Sequence, residues 1–159
     1  MAIIIADLTK TDVFVWSGDP DKGTEKETRF HFRMLDSYER GYLQDQMSSL
    51  EGLPSFKDAA KDPGKVQREM ENAGVRTEMN KVAILAFRMA VTGIDNLMQA
   101  NKKPVEFETE SLKVAGAHRD VVADRIVRAL PSALFLQFYV QLMKANNLTE
   151  EDEGNSEKG

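Results

Sequence analysis

Thr28-Arg29-Phe30-His31-Phe32-Arg33-Met34-Leu35-Asp36-Ser37-Tyr38-Glu39 contains the change of period that decides the fold. Phe30, Phe32 and Met34 alternate with Arg29, His31 and Arg33, the period-2 pattern of a half-buried strand. After Leu35 the spacing turns helical, with Tyr38, Tyr42 or Leu43, and Met47 on one face. Asp36 or Ser37 can cap that helix by accepting hydrogen bonds from its free N–H groups. Glu39 stands three residues beyond Asp36, where a capping box places its acid, although such boxes prefer Ser or Thr first.

Upstream, Val13-Phe14-Val15-Trp16 is branched and aromatic, and Gly18-Asp19-Pro20-Asp21-Lys22-Gly23 is dense in turn formers. The two strands make a long-looped hairpin, and Ile3 to Ile5 offers a third strand. Two strands alone are marginal, so the hairpin is expected to lean on a helix. Downstream, the first helix ends near Gly52-Leu53-Pro54, and residues 51–66 read as a loop or weak helix and the main mobile internal segment. The longest helix is expected from Val75 to Gln99, with Met79, Val82 or Ala83, Ala86, Ala90, Ile94 and Leu97 in a stripe. Pro104 to Glu108 reads as extended, at a sheet edge. Helices from Arg119 to Leu130 and from Pro131 to Ala145 follow, with Pro131 at a first helical turn and Asn146 or Asn147 as the C-terminal cap. The expected fold class is α+β: an N-terminal β-hairpin or small antiparallel sheet followed by a mainly helical bundle. A single domain covers residues 1–148, with strands in 1–35 and helices in 36–148, and 149–159 forms an acidic flexible tail.

The chain has 159 residues, enough for one core, with 42% apolar and 30% charged residues and no cysteine. Disulfides, thiolate metal sites and thiol nucleophiles are therefore excluded. No apolar run approaches the roughly 20 residues that span a bilayer, and the short apolar opening lacks the basic flank of a signal peptide. Of the net charge of −5, the segment 150–159 carries −4, five acids against one base. The near-neutral body has no electrostatic footprint for nucleic acid.

Chemistry is sparse. His31 reads as an exposed strand residue. His118 precedes the expected helix, where it can face Asp120 as a base or ligand, but no second histidine is near it in sequence. Asp120 and Asp124, at i and i+4, are flanked by Arg119, Arg125 and Arg128 and read as a solvated face. The Gly18–Gly23 loop lacks the further ligands of a calcium loop and the Gly-Lys-Ser/Thr of a phosphate loop. No serine sits in a nucleophile elbow. Trp16 reads as core over a helix, and the eight methionines as gap-fillers or an adaptable surface. No catalytic residue, metal or cofactor is assigned. The best binding surface is on the last helix, where Phe135, Phe138, Tyr139, Leu142 and Met143 form a broad apolar arc. That arc is expected to receive an apolar partner helix or a second copy of the chain.

The C-terminal half resembles a known family. Ala83-Ile84-Leu85-Ala86-Phe87-Arg88-Met89-Ala90-Val91-Thr92 leading into Gly93-Ile94-Asp95-Asn96-Leu97, then Lys103-Pro104-Val105-Glu106-Phe107, the Leu130-Pro131 junction and Asn146-Asn147-Leu148-Thr149-Glu150-Glu151 are similar to elements of tailed-phage tail assembly chaperones. The likeness covers about residues 80 to 153. It implies a non-catalytic protein of the bacteriophage-infected host cytoplasm, not retained in the mature virion. Its partners would be the tape measure protein, whose long apolar helices it keeps soluble, and the tail tube protein, whose subunits it helps recruit. Two other readings fit a small α+β chain: a virion structural protein, such as a tail completion or head–tail connector protein, and a phage-encoded inhibitor of a host defence protein.

Overall fold

A computed structural model of the chain describes residues 7–48 and 76–158. Among them the order is β1 (Thr11–Phe14), β2 (Arg29–Arg33), α1 (Ser37–Ser48), α2 (Arg76–Ala90), β3 (Val91–Asp95), β4 (Thr109–Val114), β5 (Ala117–Val122), α3 (Asp124–Ala129) and α4 (Ser132–Lys158). This is a mixed α+β chain with an N-terminal antiparallel sheet, as the change of period at Leu35 requires. Ile3 to Ile5 and residues 51–66 lie outside the described residues.

The first sheet has the order β1-β2-β3. Phe14 pairs with Phe30, and Thr11 with Arg33. On the other side Phe30 pairs with Ile94 and Phe32 with Val91. The register slips between His31 and Phe32, which leaves Thr92 as the extra residue of a bulge. Its hydroxyl donates to the His31 carbonyl at 3.3 Å. The alternation read from the sequence is the one observed: Phe30, Phe32 and Met34 are buried, while His31 and Arg33 reach solvent. The loop between β1 and β2 is a chain of turns, with the Thr28 N–H donating to Asp19 Oδ2 at 2.7 Å.

The third strand corrects the helix expected over Val75–Gln99. Helix α2 stops at Ala90, and Val91 begins β3. Val91, Thr92 and Ile94 are β-branched and Gly93 is a poor helix former, so the segment is better suited to a strand than to three more helical turns. A helix through it would also leave the second edge of β2 unpaired. Pro104 to Glu108 does not join that sheet: Met98 bridges Pro104, and the Val105 N–H donates to the Leu97 carbonyl at 2.8 Å.

A second correction follows. Arg119 to Val122 is strand, not helix. β4 and β5 form a hairpin from Thr109↔Val122 to Val114↔Ala117. Its two-residue turn places Ala115 at φ 51° and Gly116 at φ 83°, the doubly left-handed turn that matches strand twist. Asp120 therefore lies on β5 and Asp124 opens α3, so the two do not share a helix face. Leu130 is extended before Pro131, as the residue preceding a proline tends to be. Helix α4 then runs 27 residues to Lys158, past the expected stop at Asn146-Asn147. Asn146 is buried, and its Nδ2 donates to the Leu142 carbonyl one turn back at 2.8 Å. Residues 149–158 of the segment expected as an acidic flexible tail lie on this helix.

The core joins both halves of the chain. The Phe138 ring lies 5.5 Å from Phe14, 5.3 Å from Phe32 and 5.1 Å from Phe87, edge-on to each. Phe87 in turn meets Phe135 at 5.2 Å and Phe30 at 5.6 Å. Each such pair contributes about 0.5–1.5 kcal/mol beyond the area it buries. Trp16 packs against this core, its ring so close over Gly18 that a Cβ there would come within 2.5 Å of it.

Phe138→Ala should lower unfolding free energy by about 3–5 kcal/mol, because three rings lose a common partner and the cavity is walled by rigid elements. Urea unfolding followed by Trp16 fluorescence measures this, and a loss under about 1 kcal/mol would contradict the packing described.

Candidate functional site

The residues expected to meet a partner are in the core. Phe135, Phe138, Tyr139, Leu142 and Met143 are all buried, the last four completely. Their helical stripe faces α2 and the sheet, and Leu134 and Leu136 at its flanks are covered as well. Within the chain this arc is covered by its own sheet and α2, which supply the apolar surface that the sequence left to a partner or to solvent. Burial also pushes the Tyr139 hydroxyl well above its ordinary value, so it stays protonated.

On the outer side, α4 serves β1. The Gln141 Nε2 donates to the Val13 carbonyl at 3.2 Å, and one turn earlier Gln137 Oε1 accepts from the Ser17 hydroxyl at 2.9 Å. The Val13 N–H meets Asp12 Oδ1 at 2.8 Å. Side chains thus occupy backbone groups of an edge strand that would otherwise invite another strand.

The histidines do not converge. His31 Nε2 is 2.6 Å from Asp95 Oδ2 across the β2–β3 pair, with both side chains substantially exposed. His118 lies 3.4 Å from the Ser111 hydroxyl across the hairpin rather than against Asp120. Asp124 pairs with Arg128. Among the described residues no group of three or more His, Asp or Glu side chains could hold a metal ion.

The strongest polar cluster is the capping box read from the sequence, extended by two arginines that spacing alone did not reveal. The Glu39 N–H donates to Asp36 Oδ1 at 2.9 Å, and the Asp36 N–H returns to Glu39 Oε1 at 3.1 Å. Glu39 is fully buried and accepts both Arg33 Nη groups at 2.7 Å. Arg119, reaching across from β5, donates to Asp36 Oδ2 at 2.7 Å and lies 3.7 Å from Glu39. Such a paired, bidentate cluster fixes geometry more than it adds stability. Burial alone would raise the Asp36 carboxyl. The Glu39 N–H and the two guanidinium groups outweigh it and hold the carboxyl below its ordinary value. All four members are engaged with one another, and only Glu39 is completely buried.

The open surface lies elsewhere. Leu97, Met98 and Val105 from the bridged loop face Ile126, Ala129 and Leu130 of α3 and its end, around a cleft of about 340 Å³. Ile126 is buried at its floor, and Met98 stands 57% exposed at its rim. Arg125 borders it, paired with Glu108. Periodicity missed this cleft because Leu97 and Met98 read as helical. The available signal was Asn101-Lys102-Lys103-Pro104, a turn followed by a proline. In comparisons with known proteins, no family model, curated protein or solved structure matches the chain.

The Asp36 carboxyl generates a pH dependence. Its folded-state value is depressed, so as pH falls the unfolded chain takes up this proton before the folded one does. Its contribution is complete above about pH 4 and is lost as pH drops below that value. Stability measured by urea unfolding from pH 5 to pH 2 should fall less steeply for Asp36→Asn than for the parent chain, and identical slopes would contradict this assignment.

Proposed function

We propose that the chain is a non-catalytic binding protein of the tail assembly chaperone kind, which binds the tape measure protein and helps recruit tail tube subunits. The observation that supports this reading is the open apolar cleft between Leu97–Val105 and α3, with the flexible side chain of Met98 at its rim. It lies within the stretch, about residues 80 to 153, that resembles those chaperones. A thioether at the edge of an apolar cleft adapts to helices of varied sequence, which suits a long client helix. The contact moves from the buried Phe135–Met143 arc to this cleft, where one or two apolar side chains of a client helix can lodge. In this reading the protein acts in the host cytoplasm and leaves before the virion is complete.

Co-expression with a phage tape measure protein tests the proposal. The tape measure protein should stay soluble with the parent chain and precipitate without it. Met98→Asp combined with Ala129→Glu should abolish the rescue while leaving the circular dichroism of this chain unchanged, since both positions are exposed. Tape measure solubility that is the same with and without this chain would contradict the proposal.

A further inference from the structure

We infer that the chain pairs with a second copy of itself, the acidic end of one α4 seated in the Leu97–Leu130 cleft of the other. The cleft sits at the start of α4: Leu130 lines it, and the helix begins at Ser132. A helix rises about 1.5 Å per residue, so Leu148, sixteen residues further on, lies about 24 Å away from that start. The helix is continuous over this span and carries its own acidic end away from its own cleft. A second molecule can bring that end back.

The chemistry of the two surfaces matches. Past Asn146 the sequence offers one large apolar residue, Leu148, followed by Glu150, Glu151, Asp152 and Glu153. The cleft offers apolar walls of Leu97, Ile126 and Leu130. Between Leu97 and Val105 the charged residues are Lys102 and Lys103 alone, both exposed and making no ion pair among the described residues. The turn that presents them is fixed, with the Lys102 N–H donating to the Gln99 carbonyl at 2.9 Å and the Gln99 N–H to the Lys103 carbonyl at 2.8 Å. Arg125, which lines the cleft, is already paired with Glu108. An apolar anchor followed by acids fits an apolar cleft whose Gln99-Ala100 side runs on into a turn bearing two exposed lysines. Two antiparallel α4 helices would satisfy both clefts at once, which closes the assembly as a twofold dimer instead of an open chain. The pairing does not depend on the client proposed above.

Sedimentation equilibrium of the full chain, over a range of concentrations and at low and high salt, tests it. The expected result is a monomer–dimer equilibrium weakened by salt. Reversing the two charges of the adjoining turn (Lys102→Glu with Lys103→Glu) should raise the dissociation constant about tenfold, as should Glu150→Lys with Glu151→Lys. Combining the four changes should restore dimerisation, which separates a direct pairing from damage to the fold. Leu148→Asp should weaken the dimer without restoration by either lysine change. A monomer at every concentration, a dimer indifferent to these substitutions, or a fourfold variant that stays as weak as its parents would overturn the inference.

Discussion

The packing of Phe138 against Phe14, Phe32 and Phe87 is the constraint on which the rest of this structure depends. These rings come from β1, β2, α2 and α4, so the contact joins the first described strand to the last described helix. β1 and β2 alone would form a two-stranded ribbon, which is marginal in water without a third strand or a helix against its apolar face. Once α4 lies across that sheet, its remaining faces have fixed uses. Gln137 and Gln141 fall where they can hold Ser17 and Val13 at the sheet edge, and Asn146 turns its amide back onto the helix. A face that could have received a partner becomes the centre of the protein.

Arginines then tie the second hairpin to this core. Arg119 links β5 to the capping box at the start of α1. Arg88, in the last turn of α2, donates from Nε to the Val122 carbonyl at 2.9 Å and pairs with Glu110 on β4. These contacts set where the hairpin lies more than how stable it is, since charges drawn out of water recover little net free energy. Their consequence for binding is positional. They pin the strands leading into α3, and with it the Ile126–Leu130 side of the cleft, while Met98 on the opposite wall remains exposed to whatever enters.

Much of the fold was legible in residues 28 to 39. The alternation of Phe30, Phe32 and Met34 with charged neighbours gave the sheet face, and Asp36 with Glu39 gave the helix start, down to the reciprocal hydrogen bonds. β3 was missed because Ala86, Ala90, Ile94 and Leu97 keep helical spacing, although Val91, Thr92, Gly93 and Ile94 favour a strand. The β4–β5 hairpin was missed for a different reason. Ala115 is a non-glycine residue in a left-handed conformation, and Thr109 to Lys113 is too polar to announce a strand. The candidate site was the least legible feature. A helical stripe shows which residues want to leave water, but not whether the chain or a partner provides the cover, and here it is the chain's own sheet. The cleft was invisible because it is made by a turn and a short helix that meet only in three dimensions.

Native-state hydrogen exchange of the free chain tests most directly whether the Phe135–Met143 arc of α4 is core. Amides from Leu134 to Met143 should exchange only through global unfolding, with an opening free energy equal to that from urea denaturation. Exchange of those amides at a much lower opening free energy, with α2 and β2 still protected, would show that α4 lifts off the sheet in the native state. That result would contradict the account and return the aromatic arc to the role of a partner surface.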